Sequence, residues 1–187
     1  MGKLVYLMNV SLDGYVETAD RSLAWTAVDD ELHTWFNERT REAGALLYGR
    51  RLYEVMAAYW PTADRDPAAT PVMLDFARAW VATPKVVFST TLTEVGPGCR
   101  LVRGDVAGEV ARLREEVDGD LQIGGPTLAA AAIELGLVDE YQLVVHPVII
   151  GGGRPYLPTL ERPIELRRIE TRPFGNGAVY LGYEAVR

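Results

Sequence analysis

Two adjacent glycines, Gly124 and Gly125, separate an apolar run, Leu121-Gln122-Ile123, from a stretch that opens Pro126-Thr127-Leu128 and continues in strong helix formers. Glycines at a strand-to-helix junction leave backbone N–H groups uncovered by any Cβ, and the helix dipole adds positive potential, so a phosphate can be held there. The same spacing also makes an ordinary tight turn. It is neither the G-x-G-x-x-G fingerprint nor the Gly-Lys-Ser/Thr of a P-loop, which argues against both nucleotide folds. Gly49-Arg50-Arg51 is a second such junction, where two guanidinium groups beside helix-terminal N–H groups suit a nucleotide phosphate, or simply form a solvated pair. Ser89-Thr90-Thr91 closes another apolar run, and its hydroxyls can donate to a further phosphate or cap a turn.

These junctions need elements to hold them. Residues 4–10 read as a first strand, ending in the turn Ser11-Leu12-Asp13-Gly14. Asp29 and Asp30, followed by Leu32, Trp35 and Phe36 at helical spacing, predict a helix over residues 30–43 that Gly44 breaks. A strand over 45–48 and a helix after Gly49 follow, then a loop over 60–70 and an amphipathic helix over 72–82. Strands are expected at 85–88, 101–102, 121–123 and 141–150, with helices at 106–117 and 128–135. Beyond Gly151-Gly152-Gly153, strands at 164–171 and 178–186 flank Asn176-Gly177, a strong hairpin signal. The pattern predicts one α/β domain over residues 1–187, a three-layer sandwich with a mostly parallel central sheet and antiparallel C-terminal strands. The three junctions then fall at strand C-termini, the edge where open α/β sheets bind ligands.

Composition narrows the partners. The 187 residues carry nineteen Lys and Arg against twenty-six Asp and Glu, a net charge of −7, which disfavours nucleic acid and anionic membranes. A single cysteine and two histidines cannot form a disulfide within the chain or a structural zinc site, so no metal is expected. The N-terminus reads as a strand and not as a leader, and no apolar run approaches the roughly 20 residues of a membrane span. A cytoplasmic protein that binds a small molecule is the expectation.

Taken together, Met8-Asn9-Val10-Ser11-Leu12-Asp13-Gly14-Tyr15-Val16, Leu47-Tyr48-Gly49-Arg50-Arg51, Lys85-Val86-Val87-Phe88-Ser89, Ile123-Gly124-Gly125-Pro126-Thr127-Leu128 and Pro147-Val148-Ile149-Ile150-Gly151 resemble the dihydrofolate-reductase-like superfamily. The branch is that of the C-terminal reductase domain of the riboflavin-biosynthesis deaminase/reductase. The resemblance implies an NADPH-dependent oxidoreductase, with Gly49, Arg50 and Arg51 on cofactor phosphates and Ser89 and Thr90 at the 2′-phosphate ribose end. It implies Ile123, Gly124, Gly125, Pro126, Thr127 and Leu128 around the pyrophosphate, Asn9 and Val16 flanking the nicotinamide, and a homodimer. The proton-handling acid of the folate reductases falls on Asp30 or Glu31, either of which is equally an ordinary first-turn acid.

Departures from the pattern bear on substrate. Val145 stands where the folate reductases pair a Thr with the acid, and residues 61–82 replace the segment that grips the folate tail. Dihydrofolate is therefore disfavoured, and a small, flat heterocycle or other C=N or C=O compound is expected; a nucleotide-binding protein without turnover is the alternative. Trp25, Leu32, Trp35 and Tyr53, with Trp60, line an aromatic substrate pocket or belong to the core. His146 reads as a packed core histidine, His33 as solvent-facing, and Cys99 as no nucleophile.

Overall fold

The structure, a computed structural model, describes residues 2–186. Its strands are β1 (Leu4–Ser11), β2 (Tyr15–Glu17), β3 (Ala43–Gly49), β4 (Lys85–Phe88), β5 (Cys99–Val102), β6 (Asp120–Gly124), β7 (Glu140–His146), β8 (Arg154–Pro155), β9 (Leu166–Pro173) and β10 (Val179–Ala185). The helices are α1 (Asp30–Glu42), α2 (Arg50–Tyr59), α3 (Pro71–Ala82), α4 (Val106–Glu116) and α5 (Pro126–Glu134). Eight strands form one sheet in the order β5-β4-β3-β6-β1-β7-β10-β9. The pairings from β5 through β7 are parallel, and β10 runs antiparallel to both β7 and β9. This is the α/β arrangement expected from the pattern, a mostly parallel central sheet with antiparallel C-terminal strands.

Alternation along the strands builds the three layers. Leu4, Tyr6 and Val10 of β1, with Ala45 and Leu47 of β3, pack in one cluster with Val110 and Leu113 of α4 and Ala129 and Ile133 of α5. The intervening Leu46 and Tyr48 turn to the other face and meet Phe76 and Trp80 of α3. On that same face Leu32 and Trp35 of α1 pack on Val144 and Tyr180. A small antiparallel pair, β2 with β8, lies apart from the main sheet. Tyr6 and Tyr156 fasten it: their rings stack at 4.2 Å, and each hydroxyl donates to the other's carbonyl at 2.9 Å.

Several boundaries differ from the sequence reading. Gly44 lies inside β3 and does not end α1; its Cα packs so tightly on the 117–118 turn that a Cβ would sit 2.3 Å from the Asp118 carbonyl oxygen. The expected loop over 60–70 begins with a 3-10 helix, Trp60–Arg65, that brings Trp60 against Phe76. The strand expected to reach residue 150 stops at His146, because Pro147 has no N–H to continue the ladder. The Asn176-Gly177 hairpin forms as expected, with Gly177 at φ +87°.

Candidate functional site

The parallel strands β1, β3, β4 and β6 finish at one edge of the sheet, so their C-terminal residues converge. Helices α1, α3 and α4 each have a side-chain cap, from Asp29, Thr70 and Asp105 respectively. Helices α2 and α5 have none: their N-caps are Gly49 and Gly125, and Gly125 adopts φ +90°. First-turn N–H groups without a side-chain acceptor are open to an anion. Both glycine caps border one cleft of about 590 Å³, together with Ser89, Thr90, Pro126, Thr127 and Leu128.

The charge of this cleft opposes that of the chain. Arg21, Arg50, Arg51, Arg103 and Arg154 line it, against the single carboxylate of Glu17. Arg51 is paired with Glu17 at 2.9 Å, while Arg50 makes no ion pair among the described residues. Arg103 donates to the carbonyls of Thr90 and Leu92 at 3.3 and 2.9 Å, which fixes the turn after β4. Ser89 Oγ accepts from the backbone N–H groups of Thr91 and Leu92 at 3.2 and 3.0 Å, so it caps that turn. Arg21, Arg103 and Arg154 were not singled out from the sequence; Arg21 and Arg154 lie outside any strand-helix junction, and Arg103 stands in the one between β5 and α4.

A second cavity, of about 320 Å³, adjoins the first and shares Met8, Val16, Leu23, Leu52 and Val55 with it. Ile123 and Gly124 line this cavity, as does Asn9. Its walls carry Phe36, Tyr48, Trp60 and Phe76, and among the described residues lining it there is no Asp, Glu, Lys or Arg. Asn9 Oδ1 lies 2.8 Å from His146 Nε2. His146 is buried, as read from the sequence, and burial pushes its pKa down, so the ring is neutral. Its Nδ1 and the nearby Trp25 Nε1 are both buried without a partner, the two rings meeting edge to face at 5.6 Å.

Other expected site residues lie elsewhere. Asp30 and Glu31 are exposed and line neither cavity. Glu31 instead accepts from Gly175 N at 3.0 Å and pairs with Arg172, tying α1 to the β9–β10 hairpin. Leu32 and Trp35 belong to the core beneath α1, and Tyr53 to the core beneath α2, where its hydroxyl accepts from Gly96 N at 2.7 Å. Trp25 packs on His146 without lining either cavity. His33, read as solvent-facing, lines the apolar cavity, because α3 covers the side of α1 that periodicity alone leaves to water. Among the described residues no cluster of His, Cys, Asp or Glu could hold a metal, and no helix is long and apolar enough to cross a membrane.

The model of the RibD C-terminal domain family matches residues 3–180. The chain belongs to this family. Among curated relatives, the uncharacterized Bacillus subtilis protein YyaP is 28% identical over 97% of this chain and 94% of its own length. Among solved structures, a putative riboflavin biosynthesis protein from Shewanella is similar at a TM-score of 0.76 and 22% identity, covering 99% of each chain. Dihydrofolate reductase from Enterococcus faecalis, solved with NADP(H), is similar at 0.69 and 14%, covering 100% of this chain and 98% of that one. RibD C-terminal domains and dihydrofolate reductase thus share this fold, and the family assignment makes the chain a reductase-type domain.

Proposed function

We propose that the chain is an NADPH-dependent reductase acting on a small, uncharged C=N or C=O compound. The observation that carries this reading is the pair of helix N-termini, at Gly49 and Gly125, that lack side-chain caps and open onto one arginine-lined cleft beside an uncharged apolar cavity. The donor set fits a dinucleotide: two groups of backbone N–H donors suit the pyrophosphate, and Arg50 with Arg103 suits the extra phosphate that distinguishes NADPH. When bound, such a cofactor supplies the hydride.

The chain's own residues supply position and exclusion of water. Gly125 brings backbone within reach of the pyrophosphate, because its positive φ is open to glycine at no steric cost. Asn9 presents an amide in the apolar cavity, anchored by His146. Phe36, Trp60 and Phe76 give an apolar aromatic wall that suits a planar substrate. These walls hold no Lys or Arg to pair with an anionic substrate, which disfavours folates and sugar phosphates alike. The testing experiment follows loss of nicotinamide absorbance with uncharged aromatic carbonyls and imines, in NADPH and in NADH. Turnover with NADPH is expected. The second reading, a nucleotide-binding protein without turnover, is favoured by the position of Asp30 and Glu31 outside both cavities. NADPH binding with no turnover of any such compound would support it.

A further inference from the structure

His33 reaches the apolar cavity from α1, and its hydrogen bonding fixes which ring nitrogen is held and which is open. Nδ1 lies 3.0 Å from Asn37 Oδ1. The Asn37 side chain is fully buried, and its amide has one possible orientation. Nδ2 donates to the Val72 carbonyl at 3.0 Å and to Asp75 Oδ2 at 2.8 Å, two groups that can only accept. Oδ1 is therefore the end facing His33, and Nδ1 must carry the hydrogen. Nε2 is left with a lone pair in the neutral ring and an N–H in the imidazolium. It has no hydrogen-bond partner among the described residues and, unlike His146 Nδ1, it is not sealed from solvent.

Charge behind Asn37 strengthens its hold on Nδ1–H. Hydrogen bonds from Arg41 and then from Asn37 hold the Asp75 carboxyl below the usual range, so it is ionised. An ionised Asp75 polarises the Asn37 amide and strengthens Oδ1 as an acceptor for Nδ1–H. Arg41 and Arg78 both face Asp75, and Trp60 and Phe76 meet the imidazole as rings, at 5.9 and 5.5 Å. On α1 itself, Asp29 caps the helix through its side chain and Asp30 is exposed.

We propose that His33 Nε2 is the proton donor for reduction in this cavity, the role that the resemblance to the folate reductases implies for a carboxylate at Asp30 or Glu31. The inference rests on the reductase reading. In the balanced step the carbonyl or imine carbon gains the hydride electron pair and the C=X π bond breaks. The hydride pair becomes the new C–H bond, the former π pair stays on the oxygen or nitrogen and forms the O–H or N–H bond with the proton of Nε2, the cofactor leaves oxidised, and His33 recovers its proton from water entering the cavity. Asn37 is a positioning residue: it holds the ring through Nδ1 and leaves Nε2 without a partner among the described residues.

Two measurements test this separately from cofactor use. Nitrogen NMR on labelled protein distinguishes the tautomers of two histidines, the chain having only His33 and His146. Neutral His33 is expected as the Nδ1–H form, and an Nε2–H form overturns the proposal. In the second measurement, NADPH oxidation is followed with benzil as an uncharged dicarbonyl, leading a panel of carbonyls and imines. His33→Gln is expected to slow turnover about 10²–10⁴-fold with NADPH affinity unchanged. Asn37→Leu is expected to slow turnover less and, in the same nitrogen spectra, to turn neutral His33 into a mixture of tautomers. Wild-type turnover in His33→Gln overturns the proposal, as does a wild-type protein that binds NADPH yet reduces nothing in the panel. Failure to bind NADPH at all counts against the reductase reading, and the tautomer result then still decides how His33 is held.

Discussion

Glu17 and Arg51 form an ion pair of 2.9 Å at the arginine-lined cleft, so one of the two arginines of Gly49-Arg50-Arg51 is already neutralised by a carboxylate of the β2 strand. The two are adjacent in sequence and alike in type, but they are not equivalent toward an anion.

Arg50→Ala is therefore expected to weaken NADPH binding about 10- to 100-fold, the range for removing a charge-assisted hydrogen bond. Arg51→Ala also leaves Glu17 unpaired beside the phosphates, so part of its loss comes from new repulsion. Glu17→Gln in the Arg51→Ala background is expected to restore affinity, measured by titration calorimetry. Equal effects of both arginines with no rescue would contradict this division.

Gly125 has φ +90°, and a Cβ there would meet Leu52 Cβ at 3.6 Å and Cδ2 at 3.8 Å, ordinary contact distances, so strain and not collision opposes a side chain. Gly125→Val is expected to abolish NADPH binding. Gly136, at φ +66° just beyond α5, provides the control, since it lines neither cavity. Gly136→Val carries similar backbone strain, on the order of 1–3 kcal/mol, and should leave cofactor affinity unchanged. Loss of binding in both variants would point to general damage.

Burial lowers the His146 pKa below its ordinary 6.5. The unfolded chain therefore binds more protons than the folded one between the folded value and 6.5, and stability rises with pH across that window. On acidification below about 6.5, stability is expected to fall, and His146→Gln is expected to flatten that slope in pH-dependent denaturant titrations. An unchanged slope would mean that His146 is solvated.

Lys85 Nζ is buried and donates to the carbonyls of Trp80, Thr83 and Val81 at 2.6, 2.7 and 3.3 Å, closing the C-terminus of α3. Lys85→Met keeps the apolar stem and leaves those acceptors without their donor. A loss of about 2–4 kcal/mol is expected, from roughly 1 kcal/mol or more per orphaned buried group. A neutral result in thermal melts would show that water reaches these carbonyls.

Much of the fold was legible in the sequence because alternation and helical spacing report directly on burial: Leu4, Tyr6 and Val10 face one layer and Leu7 the other. The junctions at Gly49 and Gly125 were legible because a glycine before a helix is rarely explained by packing. The apolar cavity was not. Leu32 and Trp35 carry the strongest periodicity in α1, and that signal marks contact with the sheet, so it points to core and not to ligand. His33 was misjudged for a related reason. Whether the opposite side of α1 meets water depends on α3, which is joined to it through Asn37 and Asp75. No local pattern records that contact, which spans 38 residues of sequence. The same holds for Arg21 and Arg154, which only the tertiary fold brings to the cleft.

Thermal unfolding in the presence of NADPH, of NADH and of neither tests the central claim most directly. Ligand at about 100 times its Kd adds ~2.7 kcal/mol to a native state that alone binds it, which for a chain of this size raises Tm by roughly 5–10 °C. A rise with NADPH that exceeds the rise with NADH is expected. No rise with either dinucleotide at saturating concentrations would contradict the assignment of the arginine-lined cleft as a cofactor site.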